Sequence, residues 1–369
     1  MNAPRPELRP RPDLSSDPHP GRRATPARRL LRVTFGLLML LAVAVAIAVS
    51  FGAAEVPLWR RLLLGGAWSE TQQAILLALR LPRVLTAAAL GGLLGVAGVA
   101  FQALLRNPLA DPYVLGVSGG ASLGGVVALI VGVGGLGVPL AAFLGALVSL
   151  VAIERIATSG GRLTVFTLLL TGAIFNAFSA ALIYFLQSVA SREELSAIVF
   201  YLMGRVPSSG ALTLVGLWAA GVAITLALFA SARDFNALTA GEEGASQLGV
   251  DVERLKRRTF VLGSLATALA VSSAGLIGFV GLVVPHLLRR LLGPDHRLLL
   301  PAAFLGGASF LVLADLAART LAAPTELPVG VVTALLGGPF FLVLLRRRGV
   351  ALGGFTGSGG SAGSGGSGG

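Results

Sequence analysis

The amino-acid sequence predicts an all-α, polytopic membrane protein with about ten transmembrane helices. Two observations support this fold class. Hydrophobic residues make up 54% of the 369-residue chain, charged residues only 12%, and the mean hydropathy is +0.83, so a water-soluble domain of this length could not bury the apolar surface. Apolar segments of about 20 residues, the length that crosses a bilayer, also follow one another almost from end to end.

The predicted spans are separated by short clusters of Arg, Pro, Gly, Asp and Glu. They cover residues 31–51, 84–105, 114–133, 138–156, 164–187, 211–231, 259–276, 278–292, 301–318 and 328–345. The second span carries four glycines between Gly91 and Gly98, which are small enough to let neighbouring helices approach closely. Gly275 and Gly278 separate the seventh and eighth spans, where we expect a tight outer turn or a broken helix.

The positive charges lie at predicted helix ends rather than in one patch. The net charge is +12. Three groups dominate: Arg22, Arg23, Arg28, Arg29 and Arg32 before the first span, Arg254, Lys256, Arg257 and Arg258 in the mid-chain loop, and Arg346, Arg347 and Arg348 after the last span. The positive-inside rule places all three groups in the cytoplasm, and an even number of spans then places both termini there. Because no basic patch is interleaved with exposed aromatic residues, we expect no nucleic-acid partner.

The two ends of the chain differ in composition from the apolar region, residues 30–350, that we expect to form the transmembrane domain. Residues 1–29 are rich in Pro and Arg and predict a disordered cytoplasmic arm. A signal peptide within residues 1–54 is the alternative, although the apolar run is longer than usual for one. Residues 351–369 form a tail whose last thirteen residues, from Gly357, have the composition of a flexible linker.

A polar loop interrupts the membrane pattern at residues 237–258, which we predict to be cytoplasmic. Glu242 and Glu243 favour a helix start, because the helix dipole stabilises negative charge there, and Gly249 suits a helix C-cap. We expect a short helix on the membrane surface, either as a solvated connector or as a coupling helix that receives force from a motor subunit. Lys256 is the only lysine and precedes Arg257, so the chain has no phosphate-binding loop and no ATPase site of its own.

Five segments of the chain resemble those of a known transporter family. They are RLPRVL, QALLRNPLADPYVLGVSGGAS, GLIGFVGLVVPHLLRRLLGPDHRLLLPA, LADLAAR and ELPVGVVTALLGGPFF, and they span residues 80–342 in the family's order. The chain is therefore similar to permease subunits of the ABC importers for iron-siderophores, haem and cobalamin, the FecCD-like type II importers.

The resemblance implies the fold of a cobalamin-importer permease in a bacterial-type inner membrane. It also implies the partners: a second permease copy in a homodimer, two ATP-binding subunits that hold ATP-Mg, and one substrate-binding protein. This chain itself is expected to bind no cofactor and no metal. The cargo it implies is an iron chelate, either a ferric siderophore or haem, with cobalamin as the alternative.

Docking of the substrate-binding protein is the role that the resemblance implies for Arg80, Arg83 and Arg319. These arginines fall on the predicted outer side, against the positive-inside rule, and an acidic partner would explain them. In the alternative, Arg319 pairs with Asp315 one turn earlier, while the other two arginines anchor the membrane interface. Asp315 is otherwise a functional suspect, because a carboxylate within a span is costly.

The resemblance also implies gates and a coupling surface. Asn107 and Leu109 match an inner gate, and Thr164 and Val165 match a second gate segment; a packed turn at Pro108 and Pro112 is the alternative for the first. The residues expected to contact the ATPase are Glu242, Glu243, Ala245, Gln247, Leu248 and Gly249.

Other candidates remain open on the sequence. Arg192 and Arg205, near the predicted outer mouth, favour a cargo that bears carboxylates. His286 has neither a cysteine nor paired carboxylates at metal-ligand spacing, so we expect a packing role. A secondary transporter would need buried carboxylates or a cation site, which the spans almost lack, and a membrane enzyme would need a converging nucleophile, base and acid.

Overall fold

A computed structural model describes residues 26–52 and 69–353, and over these residues the predicted all-α fold is confirmed. The helices are, in chain order, α1 (Pro26–Ser50), α2 (Glu70–Leu104), α3 (Val117–Ile130), α4 (Gly137–Ala157), α5 (Val165–Val189), α6 (Arg192–Leu202), α7 (Ala211–Phe229), α8 (Ala232–Leu238), α9 (Glu242–Gln247), α10 (Val252–Ala274), α11 (Val280–Leu292), α12 (His296–Thr320) and α13 (Val329–Gly353). Strands β1 (Thr158–Ser159) and β2 (Arg162–Leu163) form an antiparallel hairpin between α4 and α5.

Each predicted span corresponds to one of the other ten helices, whereas α6, α8 and α9 are short helices that lie between the spans. Of these three, the sequence predicted α9. Six helices of the described part, α1, α2, α4, α5, α7 and α12, are long and apolar enough to cross a membrane by themselves. A 3₁₀ turn at Pro112–Leu115 precedes α3. The connection between α10 and α11 is broken as predicted, because Gly275 ends α10 with a φ of 71° and Phe279 starts α11 with a φ of 68°.

Helix α2 begins earlier than the predicted span, which placed its start at residue 84. The side chain of Ser69 accepts a hydrogen bond from the Gln72 N–H, and the side chain of Gln72 accepts one from the Ser69 N–H. This reciprocal pair is a capping box, and it starts the helix. The stretch Ile75–Arg80 is π-helical, which accommodates the missing N–H of Pro82 within one continuous helix. Arg80 and Arg83 therefore lie inside the helix rather than at its entrance.

The other boundary corrections concern polar segments. Helix α1 begins at Pro26, so the last four residues of the predicted arm are helical, while residues 1–25 lie outside the described residues. The predicted 237–258 loop ends early, because Asp251 caps α10 by accepting the Arg254 N–H at 3.0 Å. Helix α13 continues to Gly353, and the linker-like residues lie outside the described part.

Helix α2 is the centre of the bundle, with 94% of its most apolar window buried. Its glycines permit this position. A Cβ at Gly91 would overlap the carbonyl oxygen of Gly307 on α12, and one at Gly98 would overlap that of Gly281 on α11. The predicted close helix packing is thus confirmed.

The peripheral helices turn apolar side chains outward. Only 17 to 28% of the corresponding windows of α1, α4, α5 and α7 are buried. On α5 the exposed apolar side chains recur every four residues at Phe166, Leu170, Ile174 and Phe178. Such faces are what lipid or another membrane helix covers.

Candidate functional sites at the two faces of the bundle

The predicted outer face carries a cluster of arginines around one buried carboxylate. Asp315 on α12 is fully buried, and its Oδ1 accepts from Arg83 Nη2 at 2.9 Å and Nε at 3.1 Å. Arg319 Nε lies 3.0 Å from Asp315 Oδ2. The pairing of Arg319 with Asp315 that the sequence offered as an alternative is therefore confirmed, and Arg83 shares the same partner.

Arg319 and a third arginine, Arg80, bind the C-terminal end of α1. Arg80 Nη1 donates to the carbonyl oxygens of Val49 at 3.1 Å and Ser50 at 3.4 Å, and Arg319 Nη2 donates to Ala48 O at 3.2 Å. Cations are favourable at a helix C-terminus, where carbonyl groups lack intrahelical partners. All three predicted docking arginines are thus largely buried against the chain's own groups.

Glu326 extends the cluster to the surface from the loop between α12 and α13. It pairs with Arg83 at 2.8 Å and approaches Arg205 at 3.6 Å. Burial alone would raise the pKa of Glu326, but the Arg83 hydrogen bond and the nearby positive charges outweigh it and lower the pKa below its ordinary value. This cluster of four arginines and two carboxylates thus carries a net positive charge.

Of the two predicted cargo-contact arginines, the structure places one in a cavity. Arg205 has a 71% exposed side chain and lines an outer cavity of about 280 Å³ together with Phe200, Glu326, Leu327 and Pro328. Arg192 is exposed at the first turn of α6. A capping box between Ser191 and Glu194 starts that helix, a sequence signal that identifies α6 although no span lies there.

The predicted inner face contains a groove that joins two sets of predicted residues. The groove has a volume of about 720 Å³, and Thr164, Val165, Glu242 and Glu243 all line it. The second predicted gate segment, at the start of α5, therefore faces the first turn of the predicted coupling helix α9.

Helix α9 has the form that the sequence predicts. Within the helix, Ala245 is fully buried against the bundle. Gly249 follows the helix with a φ of 84°, the left-handed conformation typical of a helix C-terminus. Glu243 and Gln247 are exposed, and the side chain of Leu248 is 71% exposed. The short helix therefore presents two polar groups and one apolar tip away from the bundle.

Lys256 lies beside this groove and contacts two acidic residues. Its Nζ is 3.1 Å from Glu242 Oε2 on α9 and 2.6 Å from Glu253 Oε1 on α10. The other oxygen of Glu253 accepts the Leu163 N–H of the β-hairpin at 2.7 Å. Burial alone would raise the pKa of Glu253, but the hydrogen bonds from Lys256 and Leu163 and the charges of Lys256 and Arg162 lower it below its ordinary value.

The first predicted gate segment forms a turn elsewhere on the inner face. Asn107 Oδ1 accepts the Leu109 N–H at 2.9 Å, so the packed turn offered as the alternative is present. Arg106, just before it, has a φ of 47° and lines a second cavity of about 270 Å³ with Pro108 and His296. Asn107 and Leu109 themselves line neither this cavity nor the groove beside Thr164 and Val165, so the structure does not bring the two predicted gate segments together in one groove.

His286 and Tyr113 have structural roles, one in packing and one in fixing a connection between helices. The buried ring of His286 lies edge-on to that of Phe340, with 6.2 Å between centroids, as the predicted packing role requires. Tyr113 Oη donates to Ile277 O at 2.8 Å and accepts the Ile277 N–H at 3.0 Å, which fixes the broken connection between α10 and α11 against the 3₁₀ turn.

Comparison with known proteins gives one consistent result. The sequence profile of the FecCD transport family matches residues 40–347. The chain is 46% identical over 282 residues to the cobalamin import system permease protein BtuC of Halobacterium salinarum, with 76% of each chain covered. It is 39% identical over 324 residues to the hemin transport system permease protein HmuU of Yersinia pestis, with 86% of this chain and 96% of the relative covered.

A solved structure agrees in fold. It is an inward-facing conformation of a metal-chelate type ABC transporter, superimposed with a TM-score of 0.76 at 32% identity, over 86% of this chain and 99% of that one.

Proposed function

Because this chain belongs to the FecCD transport family and is a multi-pass permease of the ABC importer type, we propose that it translocates a ferric siderophore or haem across the inner membrane, with both termini cytoplasmic. The observation that carries the mechanism is the inner groove, where coupling helix α9 and the start of α5 face each other. Movement imposed on α9 from below would reach the segment that closes the pathway.

We assign ATP hydrolysis to a separate subunit that binds ATP-Mg and docks beneath α9. The only lysine of the chain is Lys256, which is followed by Arg257, so no residue can take the role of the phosphate-loop lysine. Exposed Glu243, Gln247 and Leu248 offer that subunit polar contacts around one apolar anchor. Two such subunits would serve two permease copies.

The outer face is the proposed docking surface for a substrate-binding protein. In the cluster around Asp315, four arginines exceed two carboxylates, and this local surplus would attract acidic side chains and orient their approach. Arg205 is the accessible member, whereas Arg80, Arg83 and Arg319 would have to exchange their present partners to contact the docked protein directly. Docking through those three is therefore coupled to a rearrangement of the cluster.

A second copy of the chain is the proposed partner within the membrane. One face of α5 supports this partner, because it exposes an apolar stripe formed by Phe166, Leu170, Ile174 and Phe178. The stripe begins at the inner groove, which Phe166 lines. A homodimer that packs near this stripe would place two copies of the second gate segment at one axis.

An iron chelate is preferred as cargo because Arg205, at a cavity of about 280 Å³ on the outer face, favours a ligand with carboxylates. One relative is a hemin transport permease and another is a cobalamin import permease, so cobalamin transport is the alternative function.

The test is reconstitution of the chain in lipid nanodiscs with an ATP-binding subunit and a substrate-binding protein loaded with haem, a ferric siderophore or cobalamin. We expect haem or the siderophore to stimulate ATP hydrolysis, and Arg205→Gln, but not Arg192→Gln, to reduce uptake in proteoliposomes. Stimulation by cobalamin alone would establish the alternative cargo. Uptake that is independent of ATP but abolished by an ionophore would establish a secondary transporter instead.

A further inference from the structure

The inner face holds an unbroken chain of polar contacts between α9 and the segment that leads into α5. It begins at Glu242, the first residue of α9, and continues through Lys256 and Glu253 to the backbone N–H of Leu163. The three successive heavy-atom distances are 3.1, 2.6 and 2.7 Å. Thr164 occupies the N-cap position immediately after Leu163, and α5 begins at Val165.

We propose that Lys256 is a positioning residue that transmits movement of α9 to the start of α5 through Glu253. The proposal rests on the proposed function, because it supposes a partner subunit that moves α9. It adds a residue that neither the coupling helix nor the gate segments contain, and it gives the direction in which the movement passes.

The burial of the ammonium group explains why these contacts would move together. The Lys256 side chain is 5% exposed, whereas the carboxylate side chains of Glu242 and Glu253 are 40% and 38% exposed. A buried ammonium group cannot lose its anionic partners without a large desolvation cost, whereas half-exposed carboxylates can reorient in water. Lys256 therefore keeps both carboxylates as α9 shifts.

Glu253 passes the displacement on because both of its oxygens are occupied. One accepts from Lys256 and the other from the Leu163 N–H, so the carboxylate is held between α10 and the hairpin. The side chain of Leu163 is fully buried, which fixes the hairpin strand to the core at this point. Movement at Glu253 thus acts on the backbone two residues before α5.

The neighbouring arginines of α10 provide matched controls. Arg257 pairs with Glu154 of α4 at 3.1 Å, and so ties α10 to the other side of the hairpin without contacting α9. Arg254 pairs with Asp251 at 3.5 Å on the surface, with side chains that are 85% and 59% exposed. Substituting Arg254 removes one positive charge from the same helix turn and leaves the contact chain intact.

The experiment compares Lys256→Met, Lys256→Arg and Arg254→Gln in the nanodisc complex with its ATP-binding subunit and loaded binding protein, and in proteoliposomes. We expect Lys256→Met to lower the cargo transported per ATP at least about fivefold, the low end of typical coupling between sites. Lys256→Arg should recover most of this loss, and Arg254→Gln should equal the wild type. Glu242→Gln combined with Lys256→Met should lose no more than Lys256→Met alone, because both substitutions break one path.

Hydrogen exchange at the 158–165 segment distinguishes transmission from simple stabilisation. In the wild type, ATP binding should change the exchange rate of this segment, and in Lys256→Met that change should disappear. A merely structural lysine would alter the resting exchange rate and preserve the response to ATP.

Transport per ATP and an ATP response in Lys256→Met equal to those of the wild type would overturn the proposal while leaving the importer function intact. An equal loss of transport per ATP in Arg254→Gln would also overturn it, because the loss would then follow from removing a positive charge from this turn of α10 rather than from breaking the contact chain. The wild-type complex tests the proposed function itself. If it neither transports cargo nor hydrolyses ATP in response to loaded binding protein, both the proposed function and the role of Lys256 are refuted.

Discussion

The buried carboxylate of the outer cluster predicts a large and specific loss of stability. Asparagine in place of Asp315 keeps the size of the side chain and removes its charge. Asp315 is 0% exposed, and its partners Arg83 and Arg319 have side chains that are 11% and 5% exposed, so neither guanidinium can be solvated when the anion is lost. Breaking a buried ion pair from one side costs about 3 to 5 kcal/mol. At 1.4 kcal/mol for each factor of ten, the ratio of folded to unfolded protein falls by roughly two to three and a half orders of magnitude.

The assay is reversible unfolding in mixed detergent micelles, followed by tryptophan fluorescence, with Glu326→Gln as the matched control. Glu326 contacts the same Arg83, but its side chain is 34% exposed, so its replacement should cost no more than about 1 kcal/mol. In the double variant Asp315→Asn with Arg319→Gln, part of the loss should be recovered, because one unpaired cation is removed. Equal stability losses for Asp315→Asn and Glu326→Gln would refute the reasoning.

Three further predictions concern packing, pH and coupling. Gly98→Val should destabilise the bundle by about 1 to 3 kcal/mol or abolish folding, because its side chain would overlap the Gly281 carbonyl, whereas Gly134→Ala, with nothing within 4 Å, should unfold like the wild type. The stability that Glu326 contributes should be fully present above its ordinary pKa of 4.5 and lost as the pH falls through its lowered pKa. The stability difference between wild type and Glu326→Gln, measured from pH 7 to pH 3, should therefore close only below about pH 4.5, and a constant difference would contradict the pairing. Glu243→Gln should lower transport per ATP with less than about 0.5 kcal/mol change in stability, as for most surface substitutions, and normal coupling would place the ATPase contact elsewhere, such as the 293–300 turn.

The sequence predicted the features that depend on neighbouring residues. Hydropathy located the ten helices that correspond to the predicted spans, and the glycines of α2 indicated its close packing against neighbouring helices. The pair between Asp315 and Arg319 was foreseen because residues four apart share a helix face. Gly249 was identified as a cap because it follows the helical stretch, where glycine adopts the left-handed backbone without strain.

Features that depend on distant residues were not foreseen. Arg83 meets Asp315 across 232 residues, and no local pattern indicates such a pair. Hydropathy treats an arginine as the end of a span, and for this reason α2 was started too late. Lys256 was used as part of a cytoplasmic positive cluster and as evidence against a phosphate loop, although a lone lysine with Glu253 three residues before it suggests a local ion pair.

The central position of α2 also bears on how the protein is made. The glycine face of α2 is covered by Gly307 and by Gly281, which follow Gly91 and Gly98 by about two hundred residues. At synthesis rates of about 5 to 20 residues per second, these covering helices emerge roughly 10 to 40 seconds after α2. During that interval a helix destined for the protein interior is surrounded by lipid or held by the insertion machinery. The last third of the chain therefore completes the environment of a helix encoded in the first third.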